Sequence, residues 1–480
     1  MPLRPVETPA QRALAVVLLL TGIAGVGFAW SGERASERLH EDERDYVTAA
    51  IHLQKNGVFS FTPLTVSAAS PPAPGAYREP AYPALLAAAW RLTGFVPPAD
   101  PEAIARLPAA ASAWHPVRAL NTVLLAIAAL SVALAVARLV GWRAGALAAA
   151  LAACSPALQA NVPLAMAENL TAAEVALAGL CLLALAQRAP GARLATLVVV
   201  GLAPLARAEG LLLLPAALLV DALAGRGRPA KARLRAGALL ALGLALPSAL
   251  WVARNTWLLG APVLADRSGL ALAVRAELDA DIARFGVPSA LLSWTPLEAA
   301  HRRARRLAPA ATWLEFRPLG PGNYYFRTLR RWQEERRRGA ADSLAVDAAF
   351  RRSALRSFVA HPLDHVRGAL AVAWRGLFAE RSPGWTRPFD ASLALGLLLG
   401  AALLLVTARA LRHASLPALA LFAPAWTLFA FHVAATELLP RYAEPLLPLA
   451  WAAVALCVGF VFSGRLDAPG APVPDRRPST

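Results

Sequence analysis

Residues 41–46 read Glu41, Asp42, Glu43, Arg44, Asp45, Tyr46, a run of carboxylates broken by one arginine. A carboxylate can take a proton from an incoming nucleophile, or hold a divalent cation. Acidic residues also favour the first turn of a helix, so the run reads equally as a solvated helix start. A second acid, Glu168, opens an apolar stretch in MAENLTAAE, where the same two readings stand side by side. Arginines occupy comparable places: Arg78 in YREPAYP, Arg207 in PLARAEGLLLLP, Arg254 in WVARNTW and Arg441 in LLPRYAEP. An arginine at the end of an apolar stretch commonly anchors there, with its stem in lipid and its head in water. Guanidinium also pairs bidentately with phosphate, and a lipid-linked phosphate lies at that depth.

The elements that must position these residues are membrane spans. The chain has 480 residues, 57% of them hydrophobic and 16% charged, with a mean hydropathy of +0.47. Soluble domains are less apolar and more charged, and apolar runs of this length recur along the whole chain. Spans are expected at 11–30, 117–137, 144–162, 169–187, 194–206, 209–224, 236–258, 391–408, 415–435 and 443–463. The first has no small-residue cleavage site and reads as an uncleaved anchor. The fold class is therefore an all-α polytopic membrane protein of about ten transmembrane helices with two large loops on one face.

Charge sets the orientation. The short connections holding Arg138 and Arg143, Arg188 and Arg193, Arg226 to Arg235, and Arg409 to Arg412 are basic. Reading 194–224 as two passes puts all of them on one side, which the positive-inside rule makes cytoplasmic. Both termini then face the cytoplasm, and the acidic run, Glu168 and the four arginines share the outer face. The expected division is an N-terminal transmembrane module at 1–258, with its outer loop at 31–116. An arginine-rich outer loop domain at 259–390, C-terminal spans at 391–463 and a disordered tail at 464–480 follow. Residues 81–93 are apolar but too short to span, and are expected as a helix at the interface. The basic, apolar alternation of 345–378 is expected as helices lying on anionic headgroups.

Several readings are excluded or set aside. The formal net charge is +17, but the arginines lie between spans or in one loop, so the partners expected are membrane lipids and not nucleic acid. Cys154, Cys181 and Cys457 lie in apolar stretches without disulfide or zinc spacing. His361 and His365 are four apart with Pro362 between and no third ligand evident. The sequon at Asn169 and Thr171 falls inside a predicted span. No glycine-rich phosphate loop follows a strand. A transporter would place its ionisable residues near the bilayer midplane, whereas these gather at span ends, with Arg207 and Asp221 the nearest exceptions. A lipid-linked glycan polymerase or ligase is the alternative enzyme, one that would not require a carboxylate after the first span.

These motifs, in this order, resemble those of bacterial polyprenyl-phosphate-sugar-dependent glycosyltransferases of the protein mannosyltransferase and aminoarabinose transferase type, which have a GT-C fold. Asp42, Glu43 and Tyr46 are similar to that family's acidic motif after the first span, and Arg78, Pro80, Tyr82 and Pro83 to its basic-x-Pro-x-Tyr-Pro segment. Glu168 and Leu170 resemble its Ser-Glu-x-Leu segment, with Ala167 in place of the serine. Arg207, Glu209 and Gly210 resemble its hairpin, Arg254 and Asn255 its Arg-Asn pair, and Arg441, Tyr442 and Pro445 its last motif. The resemblance implies sugar transfer from a polyprenyl-phosphate carrier to a protein, lipid or glycan acceptor at the outer face of the inner membrane. It implies Asp42 as general base or ligand of a divalent cation, with Glu43 and Glu168 as further acidic participants. Arg78, Tyr82, Arg207, Arg254, Arg441 and Tyr442 would bind the donor phosphate. No closely spaced carboxylate nucleophile is evident, so a single inverting displacement is expected.

Overall fold

The computed structural model describes residues 9–32, 39, 41–62, 72–98, 103, 114–308, 316, 322–338, 343–380, 391–437 and 440–463. Every element among them is helical. Helices long and apolar enough to cross a membrane are α1 (Pro9–Ser31), α4 (His115–Val140), α7 (Glu168–Ala186), α10 (Ala230–Leu259), α17 (Ser392–Arg412), α18 (Leu416–Ala435) and the segment Arg441–Val461, which contains most of α20 (Leu447–Ser463). Lipid offers the backbone no hydrogen-bond partner, so these apolar stretches must satisfy their own peptide groups as helices.

The remaining expected spans are shorter helices. At 144–162 the chain forms α5 (Trp142–Ala153) and α6 (Pro156–Ala160) with a break between them. The break is stabilised by Glu380, whose buried carboxylate accepts from Ser155 Oγ at 2.6 Å, Ala157 N at 3.0 Å and Trp451 Nε1 at 3.1 Å. Ser155 Oγ in turn accepts from Leu158 N at 3.4 Å. Removing that carboxylate would orphan buried donors at a cost of about 1–3 kcal/mol each. Sequence reading missed the break because its partner comes from the far side of the loop domain.

The stretch 194–224 forms α8 (Ala192–Ala206), a short 3-10 turn (Ala208–Leu212) and α9 (Leu213–Ala224). Arg193, at the start of α8, donates from Nε and Nη2 to Asp221, near the end of α9, at 2.8–3.1 Å. The two helices therefore run antiparallel, as two passes require. Close backbone approach holds the bundle: a Cβ on Gly25 of α1 would meet Cys154 Sγ at 2.7 Å, and one on Gly145 of α5 would meet Ala133 O at 2.6 Å. Small residues at helix contacts are the usual means of close packing in a membrane.

Helix α2 (Glu41–Asn56) and helix α3 (Ala81–Leu92) pack together beside α4. Tyr82, Leu86 and Trp90 of α3 are fully buried, while Leu92 is 88% exposed. Helix α3 is thus part of the core on one side, not only an interfacial helix. Between α10 and α17 lie α11 (Ser268–Phe285), α12 (Val287–Trp294), α13 (Glu298–Leu307), α14 (Tyr324–Arg338), α15 (Ser343–Ala360) and α16 (Pro362–Gly376). Their buried residues Leu270, Val274, Trp294 and Tyr324 share one core with Ala29, Leu125 and Trp451 of the spans. Asp347 of α15 accepts from Gly269 N at 2.8 Å and from Leu270 N at 3.2 Å, satisfying the start of α11. Helices α15 and α16 thus pack into the loop domain on one face. Their exposed face carries Val359, Leu363, Val366 and Leu370. The expected tail at 464–480 lies outside the described residues.

Candidate functional site

Helix α2 turns its first-turn acids inward. Asp42 and Glu43 are 8% and 1% exposed, and Tyr46 one turn on is buried too, whereas Arg44 faces out. Three guanidinium groups converge on Asp42. Arg78, from the segment before α3, donates Nη2 to Asp42 Oδ1, and its Nε and Nη2 also reach Asp45 Oδ2 at 3.0 and 2.9 Å. Arg441, from α19 (Pro440–Ala443), places Nη1 2.6 Å from Asp42 Oδ2. Arg267, the residue before α11, places Nη1 3.6 Å from Asp42 Oδ1. The site is assembled from the first module, the loop domain and the last span.

These neighbours decide the charge states. Burial pushes the Asp42 carboxyl up, but Arg78, Arg441 and Arg267 more than offset it and hold it well below the usual carboxylate range. For Asp45 burial wins over Arg78, and its carboxyl is raised. Two neighbouring carboxylates pushed in opposite directions are the pattern of sites that handle protons. Tyr46 and Tyr77 flank Arg78, with their ring centres 5.4 and 5.6 Å from its guanidinium carbon. Tyr77 also lies 5.1 Å from that of Arg267.

A second basic group adjoins the first. Arg207 donates Nε to Glu209 at 2.7 Å and lies over the Tyr442 ring at 5.1 Å. His432 stacks on that same ring at 5.7 Å, and its Nε2 is 3.7 Å from Glu209. Glu79 accepts from Ala208 N at 3.0 Å, tying the hairpin tip to the segment that carries Arg78. Glu168 is buried at the start of α7, and its charge acts on both Arg207 and Arg441. Arg441 Nε is buried and has no hydrogen-bond partner among the described residues.

The structure thus brings together Asp42, Glu168, Arg78, Arg207, Arg441 and Tyr442. It gives three of the expected site residues other work. Glu43 accepts from Ala165 N at 2.9 Å and fixes the turn before α7. Tyr82 is fully buried, and its hydroxyl donates to Asn121 Oδ1 at 3.3 Å and towards Leu164 O at 3.4 Å, not into the basic cluster. Arg254 donates to Gly75 O at 2.9 Å and to Asn255 Oδ1 at 2.7 Å, and stacks on Trp251 at 4.8 Å. It holds the loop that presents Arg78 instead of lining the site.

Sequence reading missed Arg267 and His432, and gave Asp45 and Glu209 no role of their own. Arg267 had no signal, being one arginine among many in a long loop. Asp45 was visible within the acidic run. His365, weighed as a metal ligand with His361, instead pairs with Asp279 through Nδ1 at 2.7 Å. No group of three His, Cys, Asp or Glu side chains able to hold a metal occurs among the described residues. Asp42, faced by three cations, does not fit a divalent metal in this arrangement. The same donors suit an anion.

The architecture is the GT-C type of membrane fold, in a multi-pass membrane protein. The chain is similar to the oligosaccharyltransferase AglB of Archaeoglobus fulgidus, solved with an inhibitory peptide and a dolichol-phosphate, with a TM-score of 0.50 at 14% identity. That likeness covers 95% of this chain and 51% of the archaeal protein, so the chain spans about half its length. It is also similar to ArnT of Cupriavidus metallidurans, solved bound to undecaprenyl phosphate, with a TM-score of 0.34 at 16% identity over 96% of this chain and 79% of that one. No protein-family model and no curated protein sequence matches it.

Proposed function

We propose that the protein is a membrane glycosyltransferase that moves a sugar from a polyprenyl-phosphate carrier to an acceptor by a single inverting displacement. The observation that carries this reading is the convergence of Arg78, Arg267 and Arg441 on the Asp42 carboxylate. Such a cage presents several charge-assisted donors to one small anion, and a phosphate is the anion with enough oxygens to use them.

In the reaction the acceptor's nucleophile attacks the anomeric carbon. The bond from that carbon to the phosphate oxygen breaks, and polyprenyl phosphate leaves with the electron pair. Arg441 and Arg267 turn from Asp42 to the phosphate, while Arg78 stays fixed by Asp45 and its two tyrosine rings. The unpartnered Nε of Arg441 supports it as the mobile donor. As the cations leave, Asp42 regains basicity and takes the proton from the acceptor. Glu168 adds negative charge beside Arg207 and Arg441. Preformed donors aimed at the departing oxygen stabilise the charge that develops there.

The site is assigned to the outer face of a bacterial inner membrane, with both termini cytoplasmic. The antiparallel α8–α9 pair supports this, because it puts Arg193 and the other short basic connections at the end opposite the site. Reconstituted protein should bind polyprenyl phosphate and release it from a polyprenyl-phosphate sugar when acceptor is supplied. Failure to bind polyprenyl phosphate would overturn the reading.

A further inference from the structure

At the end of the bundle away from the candidate site, α7, α8 and α9 enclose a cavity of about 310 Å³ lined by Arg188, Arg193, Leu194, Asp221 and Arg228 among others. Its four charged groups are not balanced. Arg193 and Asp221 neutralise each other through three hydrogen bonds. Arg188 and Arg228 are exposed and have no carboxylate partner among the described residues. Helix α8 begins here after Gly191, which supplies no side-chain cap, so the first N–H groups of α8 add positive character to the cavity. Leu194 lines the cavity and is 67% exposed, so the cavity opens beside an apolar side chain at the surface of α8.

We propose that this cavity is a binding site for the phosphate headgroup of an anionic phospholipid, separate from the candidate catalytic site. An arginine that only anchors a helix lies singly along a span end. Here a defined cavity, one arginine oriented by a buried aspartate and two arginines without carboxylate partners among the described residues surround a common space where α7 ends, α8 begins and α9 ends. Basic pockets between transmembrane helices are suited to acidic headgroups, and the acyl chains would run along the exposed leucines of α8 and α9. The inference does not depend on the glycosyltransferase reading.

Full-length protein in neutral detergent would be titrated with phosphatidylglycerol or phosphatidylcholine, with retained lipid counted by native mass spectrometry. Wild type should retain phosphatidylglycerol in preference. The double variant Arg188→Gln, Arg228→Gln should bind it roughly 30-fold more weakly. A control pair outside the cavity, Lys231→Gln with Arg235→Gln, should bind as wild type does. Equal retention of both lipids, or equal weakening by the control pair, would show a diffuse basic surface and overturn the proposal. Displacement of the lipid by millimolar inorganic phosphate would make it a free-anion site and overturn it as well.

Discussion

Replacing Asp42 by asparagine keeps the side chain's shape and one carbonyl acceptor, but removes its charge and its capacity to take a proton. Under the proposed mechanism the variant loses the general base, worth about 10²–10⁴ in rate, or roughly 3–5 kcal/mol of barrier. Binding should move the other way. Arg441 at 2.6 Å and Arg267 at 3.6 Å now lose the carboxylate that competes with the phosphate. A hydrogen bond to a charged group contributes about 1.5–3 kcal/mol, so polyprenyl phosphate should bind Asp42→Asn about tenfold more tightly, or more. The assay is release of polyprenyl phosphate from its sugar conjugate in proteoliposomes, together with a direct binding isotherm for polyprenyl phosphate. A kcat within about threefold of wild type would remove Asp42 from the chemistry. A fall in both kcat and affinity would retain Asp42 as a structural clamp and refute the exchange of its arginines.

Arg441→Gln should weaken polyprenyl phosphate binding and lower kcat by about 10²–10³, since it removes a donor to the leaving oxygen; an unchanged isotherm would contradict this. Glu43→Gln retains an acceptor for Ala165 N and should keep most activity, whereas Glu43→Ala should lower the thermal midpoint by orphaning that buried donor at about 1–3 kcal/mol. A tenfold loss of kcat in Glu43→Gln at unchanged stability would restore Glu43 as a catalytic acid. The folded Asp42 carboxyl titrates below its unfolded value, so as pH falls through about 4 the unfolded chain binds more protons and stability drops. The melting midpoint of wild type should therefore decline more steeply below about pH 4.5 than that of Asp42→Asn, and parallel curves would count against the cage. Chelation with EDTA should leave the release rate within about twofold, because arginines here do the work of a cation; loss of activity restored by a divalent metal would argue otherwise.

The sequence by itself determined the membrane class, the positions of the long helices and the grouping of acids and arginines at helix ends. It could do so because hydropathy and charge are local properties, and lipid penalises every exception to them. Ordered motifs along the chain likewise placed Asp42, Arg78, Glu168, Arg207 and Arg441 in one neighbourhood. Which of these side chains meet is settled by packing. Arg267 reaches Asp42 because Asp266 N donates to Ala76 O at 2.7 Å, fastening the loop domain beside Arg78. Tyr82 and Arg254 turn to Asn121 and Gly75, partners supplied by other segments of the chain. The break at Cys154–Ser155 exists because Glu380, remote in sequence, satisfies it. Each outcome depends on where a distant buried group finds its partner, and that partner is fixed by packing, which no local pattern encodes.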